Sequence, residues 1–233
     1  MWRRARLARS SGGTVSVTQP TDPVAPVRRR GRPPGSDRGA AQTRARIRAA
    51  AIELFADRGF HATGVAEIGA KADVQRGALY YHIGSKQELL WEILRDYTRL
   101  LLEDAERIVA ADADPIRTLR ELIRSHVELI VVHRRTVAVH LRDADALTAD
   151  RAADLQRLRD RIQRLWQDVI DAGHTAGLLR SADHVVTNGL LGMLNSLSFW
   201  YRERGAHSPA EIAEILTETV LSGLIAPGDN TKG

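Results

Sequence analysis

Four side chains stand out for what their types and spacing could do. Arg76, Tyr80, Tyr81 and His82 crowd an eight-residue segment that also holds Gly77 and Ala78, just after the turn Asp73-Val74-Gln75. A guanidinium, two phenols and an imidazole on one short helix are hydrogen-bonding groups for phosphates and base edges, and the two small residues let a backbone lie close to a polyanion. Alone, such a face reads as solvated surface. Other chemistries find less to rest on. His126, His133 and His140 recur every seven residues, but no Cys or carboxylate completes a metal set, so they read as core or pocket-wall histidines. Asp143 and Asp145 are two apart and do not share a helix face. No phosphate-binding glycine loop, no Gly-x-Ser-x-Gly elbow and no cysteine is present. No enzyme activity, cofactor or metal is expected.

The elements that must position these groups are helical. Ile47, Ala51, Leu54 and Phe55 make a helical stripe over about 42–58, stopped by Gly59. A second helix is expected over 65–72 and a third over 76–83. Ser85 and Glu88 open a fourth as a capping box, running to about 110. Val74 supplies a buried turn residue between the second and third helices, and Gly69 or Ala72 the small residue at their crossing. Asp114-Pro115 starts a fifth helix to about 133, followed by helices to about 145, over 148–176, over 183–201 and from Ser208-Pro209 onward. Residues 1–40, rich in Arg, Gly, Pro and Ser, are expected to be a disordered basic arm, and 226–233 a disordered tail. Eleven arginines against two aspartates over 1–46 leave the rest of a chain of net charge +5 slightly acidic, which points to a polyanion partner at the N-terminal end. No apolar run spans a bilayer, no secretory leader opens the chain, and a cytoplasmic protein is expected.

With its order and spacing, the stretch TRARIRAAAIELFADRGF over 43–60, then ATGVAEI over 62–68, GALYYH over 77–82 and Ser85-Lys86, resembles the N-terminal domain of the tetracycline-repressor (TetR) family. Gly64, Asp73 and Ile83 depart from the usual helix cap, turn glycine and phenylalanine. The resemblance implies an all-α protein: a helix-turn-helix DNA-binding domain over 41–88, joined by a long helix to a bundle over 89–225 that binds a ligand and dimerises. Carried over by position, Thr63, Gln75, Arg76, Gly77, Ala78, Tyr80, Tyr81, His82 and Lys86 face an operator in double-stranded DNA, with Arg76 the best candidate to read a base edge. In the arm, Arg30-Gly31-Arg32-Pro33 resembles the core of an AT-hook. A generic basic tail that adds affinity without specificity is an equal reading for Arg30 and Arg32.

The later helices carry scattered polar and aromatic groups on apolar faces. By the family resemblance they enclose a small-molecule pocket, and residues 133–201 are similar to actinobacterial members that sense acyl-CoA thioesters in lipid or steroid catabolism. The expected contacts to an acyl-CoA or other apolar effector are Arg124, His140, Trp166, Asn195 and Phe199. Gly189, Gly192 and Ser196 suit the close helix approach of a homodimer. The sequence thus points to a dimeric repressor released by a small ligand. An architectural DNA-binding protein with no effector is the alternative, separated from it by the presence or absence of a cavity.

Overall fold

Helix formers and stop signals lay out a chain of helices in the computed structural model, which describes residues 37–111 and 113–225. The first is α1 (Asp37–Arg58). It begins inside the stretch expected to be unstructured, because Ala40 and Ala41 favour helix. Thr43 steadies this turn by donating to the Gly39 carbonyl at 2.9 Å. Arg30, Arg32 and the 226–233 tail lie outside the described residues.

Next come α2 (Val65–Lys71), α3 (Arg76–Ile83) and α4 (Lys86–Ala111). Gly64 offers no capping side chain, so the Glu67 carboxylate takes over by accepting from the Gly64 N–H at 2.8 Å. Gly84 ends α3 at φ +64°, a left-handed conformation that costs a glycine little. Half of the expected capping box opens α4: Ser85 Oγ accepts from the Glu88 N–H at 3.0 Å, while the Glu88 carboxylate pairs with Arg151 instead.

Asp114 caps α5 (Pro115–Val132), accepting from the N–H groups of Ile116 and Arg117 at 2.8 and 3.1 Å. After His133 follow α6 (Arg134–Asp143), a 3-10 turn over Ala144–Ala146, and α7 (Ala149–Thr175). The apolar helix expected over 183–201 is broken into α8 (His184–Asn195) and α9 (Leu197–Trp200). Ser196 is the cause: its hydroxyl donates to the Met193 carbonyl at 2.7 Å and accepts from the Trp200 indole at 3.2 Å, bonds that pull a helix off its axis. A complete capping box of Ser208 and Glu211 opens α10 (Pro209–Leu224). Among the described residues the only extended pairing is one antiparallel bridge, Leu179 to Ile225, so the fold is all-α as expected.

Two cores form. In the first, the head, Ile47, Phe55, Ile68 and Leu79 pack against Leu89–Leu94 of α4, with Val139, Leu147 and Leu155 closing it from below. The second, the body, gathers Tyr97, Leu102 and Ile108 of α4 with α5, Trp166 and Ile170 of α7, and Leu190 and Leu194 of α8. Helix α4 therefore serves both cores, and so do α6 and α7, with Val139 and Leu155 in the head and Val137 and Trp166 in the body. No described helix is long and apolar enough to cross a membrane.

Candidate nucleic-acid interface and cavity

Leu79 and Ile83 anchor α3 by their full burial in the head. The residues before and between those anchors are exposed or half-buried. Gln75, Arg76, Gly77, Ala78, Tyr80 and Tyr81 are all exposed, Tyr81 by 84%. His82 is half-buried and meets the Tyr81 ring edge-on at 5.4 Å. Arg76 makes no ion pair among the described residues, and a side chain at Gly77 would meet nothing within 4 Å, so the fold itself does not demand glycine there. The turn is tight for a definite reason: Asp73 holds φ +52°, and Val74 donates to the Gly69 carbonyl at 2.9 Å. A Cβ on Gly69 would stand 3.0 Å from the Val74 carbonyl oxygen, which makes Gly69 the crossing residue.

Two residues of the expected set point inward. Thr63 is buried and its hydroxyl lies 2.8 Å from the Gly59 carbonyl. Lys86 donates to the carbonyls of Phe60 and Thr63, each at 2.9 Å, and its ammonium sits over the Phe60 ring. It ties the start of α4 to the α1–α2 loop, with one N–H left for another partner.

The body holds a cavity of about 480 Å³ between α4, α5, α6, α7 and α8. Leu101, Val137, Ile162 and Leu191 supply apolar wall; Tyr97, His126, His140, Arg159 and Asn195 supply polar groups; the mouth lies by exposed Leu141, Asp145 and Gln156. His126 Nε2–H donates to Asn195 Oδ1 at 3.3 Å, and burial pushes its pKa down to about 4. His140 is pushed down to about 3, first by burial and then by the Arg159 charge.

Of the expected ligand contacts, His140 and Asn195 line this cavity. Trp166 is buried behind it, its ring edge-on to His126 at 5.6 Å. The structure does not bring Arg124 or Phe199 to it. Arg124 is an exposed residue paired with Glu121 and Glu128 of its own helix, and Phe199 is 68% exposed beyond the Ser196 break. Tyr97 and Arg159, which the sequence reading passed over, are in the wall: one looked like part of an apolar stripe, the other like part of a charged run. Among the described residues no three His or acidic side chains gather to hold a metal ion.

Head and body also touch away from α4. Arg142 of α6 donates to the carbonyls of Phe55 and Ala56 in the last turn of α1, the latter at 3.2 Å, and is held by buried Asp143. Arg135 pairs with Asp57 at 3.3 Å beside it.

A helix-turn-helix head with an exposed second helix, carried on a helical body that holds a cavity, has the architecture of a DNA-binding transcriptional regulator. Comparison with known proteins agrees. Residues 47–93 match the bacterial regulatory proteins of the tetR family and residues 112–224 the tetracyclin repressor-like C-terminal domain. The chain is 31% identical over 201 residues to the HTH-type transcriptional repressor KstR2 of Rhodococcus jostii, covering 84% of this chain and 98% of that protein. The structure of the ketosteroid transcriptional regulator KstR2 of Mycobacterium tuberculosis superposes with a TM-score of 0.74 at 26% identity, covering 79% of this chain and 95% of that one. That of AibR in complex with isovaleryl coenzyme A and operator DNA superposes with a TM-score of 0.70 at 26% identity, covering 76% and 97%. The chain belongs to the TetR family of transcriptional regulators.

Proposed function

We propose that the protein is a cytoplasmic, homodimeric repressor that leaves its operator when an apolar effector, an acyl-CoA, enters the body. Residues 41–88 form the DNA-binding domain and 89–225 the effector and dimer domain. In this reading α3 lies in the major groove, with Arg76 on a base edge and Gln75, Tyr80, Tyr81 and His82 on the backbone. Lys86 and Thr63 support that surface from within. Arg30 and Arg32 extend it, either in the minor groove or as loose cationic contacts.

The observation that carries the reading is the cavity. It is walled by α4, α6 and α7, helices that also hold the head. An occupant that favours one tilt of them would change the separation of two α3 helices, which must stand about 34–36 Å apart to meet successive grooves. Release follows if the effector binds the wrongly spaced state better than the DNA-competent one. Similarity to AibR, solved with isovaleryl coenzyme A and operator DNA, supports the effector class. For the dimer, α8 presents Val185, 64% exposed, beside Gly189 and Gly192, where an added Cβ would meet nothing within 4 Å. Ile215 of α10 is half exposed as well. A second copy laid across this face by a two-fold axis covers it.

The test is to sequence the DNA fragments that the purified protein retains, then titrate the selected duplex complex with acyl-CoAs. A single palindromic motif, bound by a dimer and released by at least one acyl-CoA, is expected. Retention of random fragments would remove the operator claim, and a complex indifferent to every acyl-CoA would remove that effector class. Deleting residues 1–36 should weaken binding and flatten its salt dependence while leaving the fold intact; unchanged affinity at all salt concentrations would show the arm to be idle.

A further inference from the structure

The cavity wall carries two hydrogen-bonding groups that the protein leaves unused. Tyr97 is 5% exposed, and its hydroxyl has no partner among the described residues. Nδ1 of His140 is sealed and unpartnered in the same way. The two rings stand edge to face with centroids 6.1 Å apart, and both residues line the cavity.

A neighbour sets the proton of His140. Arg159 Nε donates to ring Nε2 at 2.9 Å. A guanidinium has donors only, so Nε2 carries the lone pair and the proton of the neutral ring sits on Nδ1. Burial and the Arg159 charge keep the ring neutral. Burial likewise raises the Tyr97 phenol and keeps its proton on. The protein thus holds two buried donors with no acceptor, an arrangement that folded proteins avoid unless something else completes it.

Charge narrows what completes it. Arg159 is half-buried with no carboxylate in ion-pair contact among the described residues, but Asp145 lines the same cavity and acts on it electrostatically. Asp145 offsets part of the Arg159 charge, so a full negative charge on the occupant is not required. A neutral acceptor oxygen satisfies both donors, and the aliphatic wall takes the rest of the molecule.

We propose that this end of the cavity is a carbonyl-oxygen site: Tyr97 O–H and His140 Nδ1–H converge on one carbonyl oxygen of an otherwise apolar effector, with Arg159 as the positioning residue that fixes the histidine tautomer. A thioester and a ketone share this chemistry. The inference rests on the effector reading above, yet it does not require coenzyme A.

Matched pairs test it on the full chain by calorimetry: hexanoyl-CoA against S-hexyl-CoA, and a medium-chain methyl ketone against the matching alkene. The carbonyl member should bind roughly tenfold or more tighter in at least one pair. Tyr97→Phe should weaken that member roughly 3–10-fold and narrow the gap, without lowering the melting temperature of the unliganded protein. Arg159→Met should move the His140 proton toward Nε2, read from imidazole 15N shifts; an unchanged tautomer overturns the role of Arg159. Ketone binding without thioester binding keeps the site and removes the coenzyme A reading. Equal binding of carbonyl and carbonyl-free members overturns the site but leaves an effector cavity. No binding in either pair overturns both.

Discussion

The head and the body differ in what surrounds their unpartnered buried polar groups: packed side chains in one, a cavity in the other. Among the described residues, α1, α2 and α3 leave no buried side-chain polar atom without a partner. All five such atoms lie on α4, α6 and α7: Gln87, Trp91, Tyr97, His140 and Trp166. In the head, the two such atoms, on Gln87 and Trp91, border an apolar interior with no cavity of the body's kind, and carbonyls at the end of α1 and in the α1–α2 loop are capped by Arg142 and Lys86. In the body, Tyr97 and His140 keep theirs at the wall of a cavity. A region built to present a surface gains from rigidity. A region built to receive a molecule must leave bonds for that molecule to make.

That contrast can be broken, and the largest lever is packing. Leu79→Ala in the solid head should cost about 2–5 kcal/mol in urea unfolding, whereas Leu101→Ala, half-buried beside the cavity, should cost under about 1 kcal/mol. Equal losses would mean that the body is packed as tightly as the head. Next is acid. His126 and His140 are held neutral in the fold with pKa values near 4 and 3, against an ordinary 6.5. Between those values the unfolded chain binds more protons, so stability is full above about 6.5 and falls as pH drops toward 4, by about 1.4 kcal/mol for each tenfold loss of proton affinity. Thermal unfolding across that window should slope down in the wild type and slope less in His126→Leu; parallel slopes would contradict the buried neutral histidine.

Smaller effects separate the two kinds of basic residue on the head. Arg76→Ala should cost roughly 1–3 kcal/mol on the selected operator and relax one position, with no change in folding. Lys86→Met should instead lower folding stability by about 1–2 kcal/mol, because it uncaps the carbonyls of Phe60 and Thr63. The reverse pattern would exchange their roles. At the bottom of the scale, Arg120→Ala removes exposed pairs with Glu214 and Glu218 across α5 and α10 and should move the unfolding midpoint by less than about 1 kcal/mol equivalent.

The same contrast explains what could be read in advance. The head is written in local signals. Gly59 stops a helix, Asp73 turns left-handed between two others, and Ser85 opens the next, all within a few residues of what they control. Even there, the direction of a long side chain escaped notice: Lys86 turns inward because backbone carbonyls from the α1–α2 loop lie beneath it. The polar end of the cavity draws Tyr97, His140 and Arg159 from three separate helices, and no spacing announces that meeting. Arg124 and Phe199 show the converse, residues expected at the cavity that do not line it. Helix phase alone does not tell which face a bundle covers, and Phe199 moved outward when Ser196 broke its helix.

The Arg142 contact bears on how the head can move. A ball on a single stalk swings in any direction, and α4 alone would be such a stalk. By gripping the last turn of α1 from α6, Arg142 adds a second point of attachment. Val139, Leu147 and Leu155 pack against the head as well, and Arg135 pairs with Asp57, so the head is braced along a seam rather than at a single point. On the proposed reading, the head is hung like a door on that seam, so that a shift of α6 against α4 turns α3 rather than letting it wobble freely.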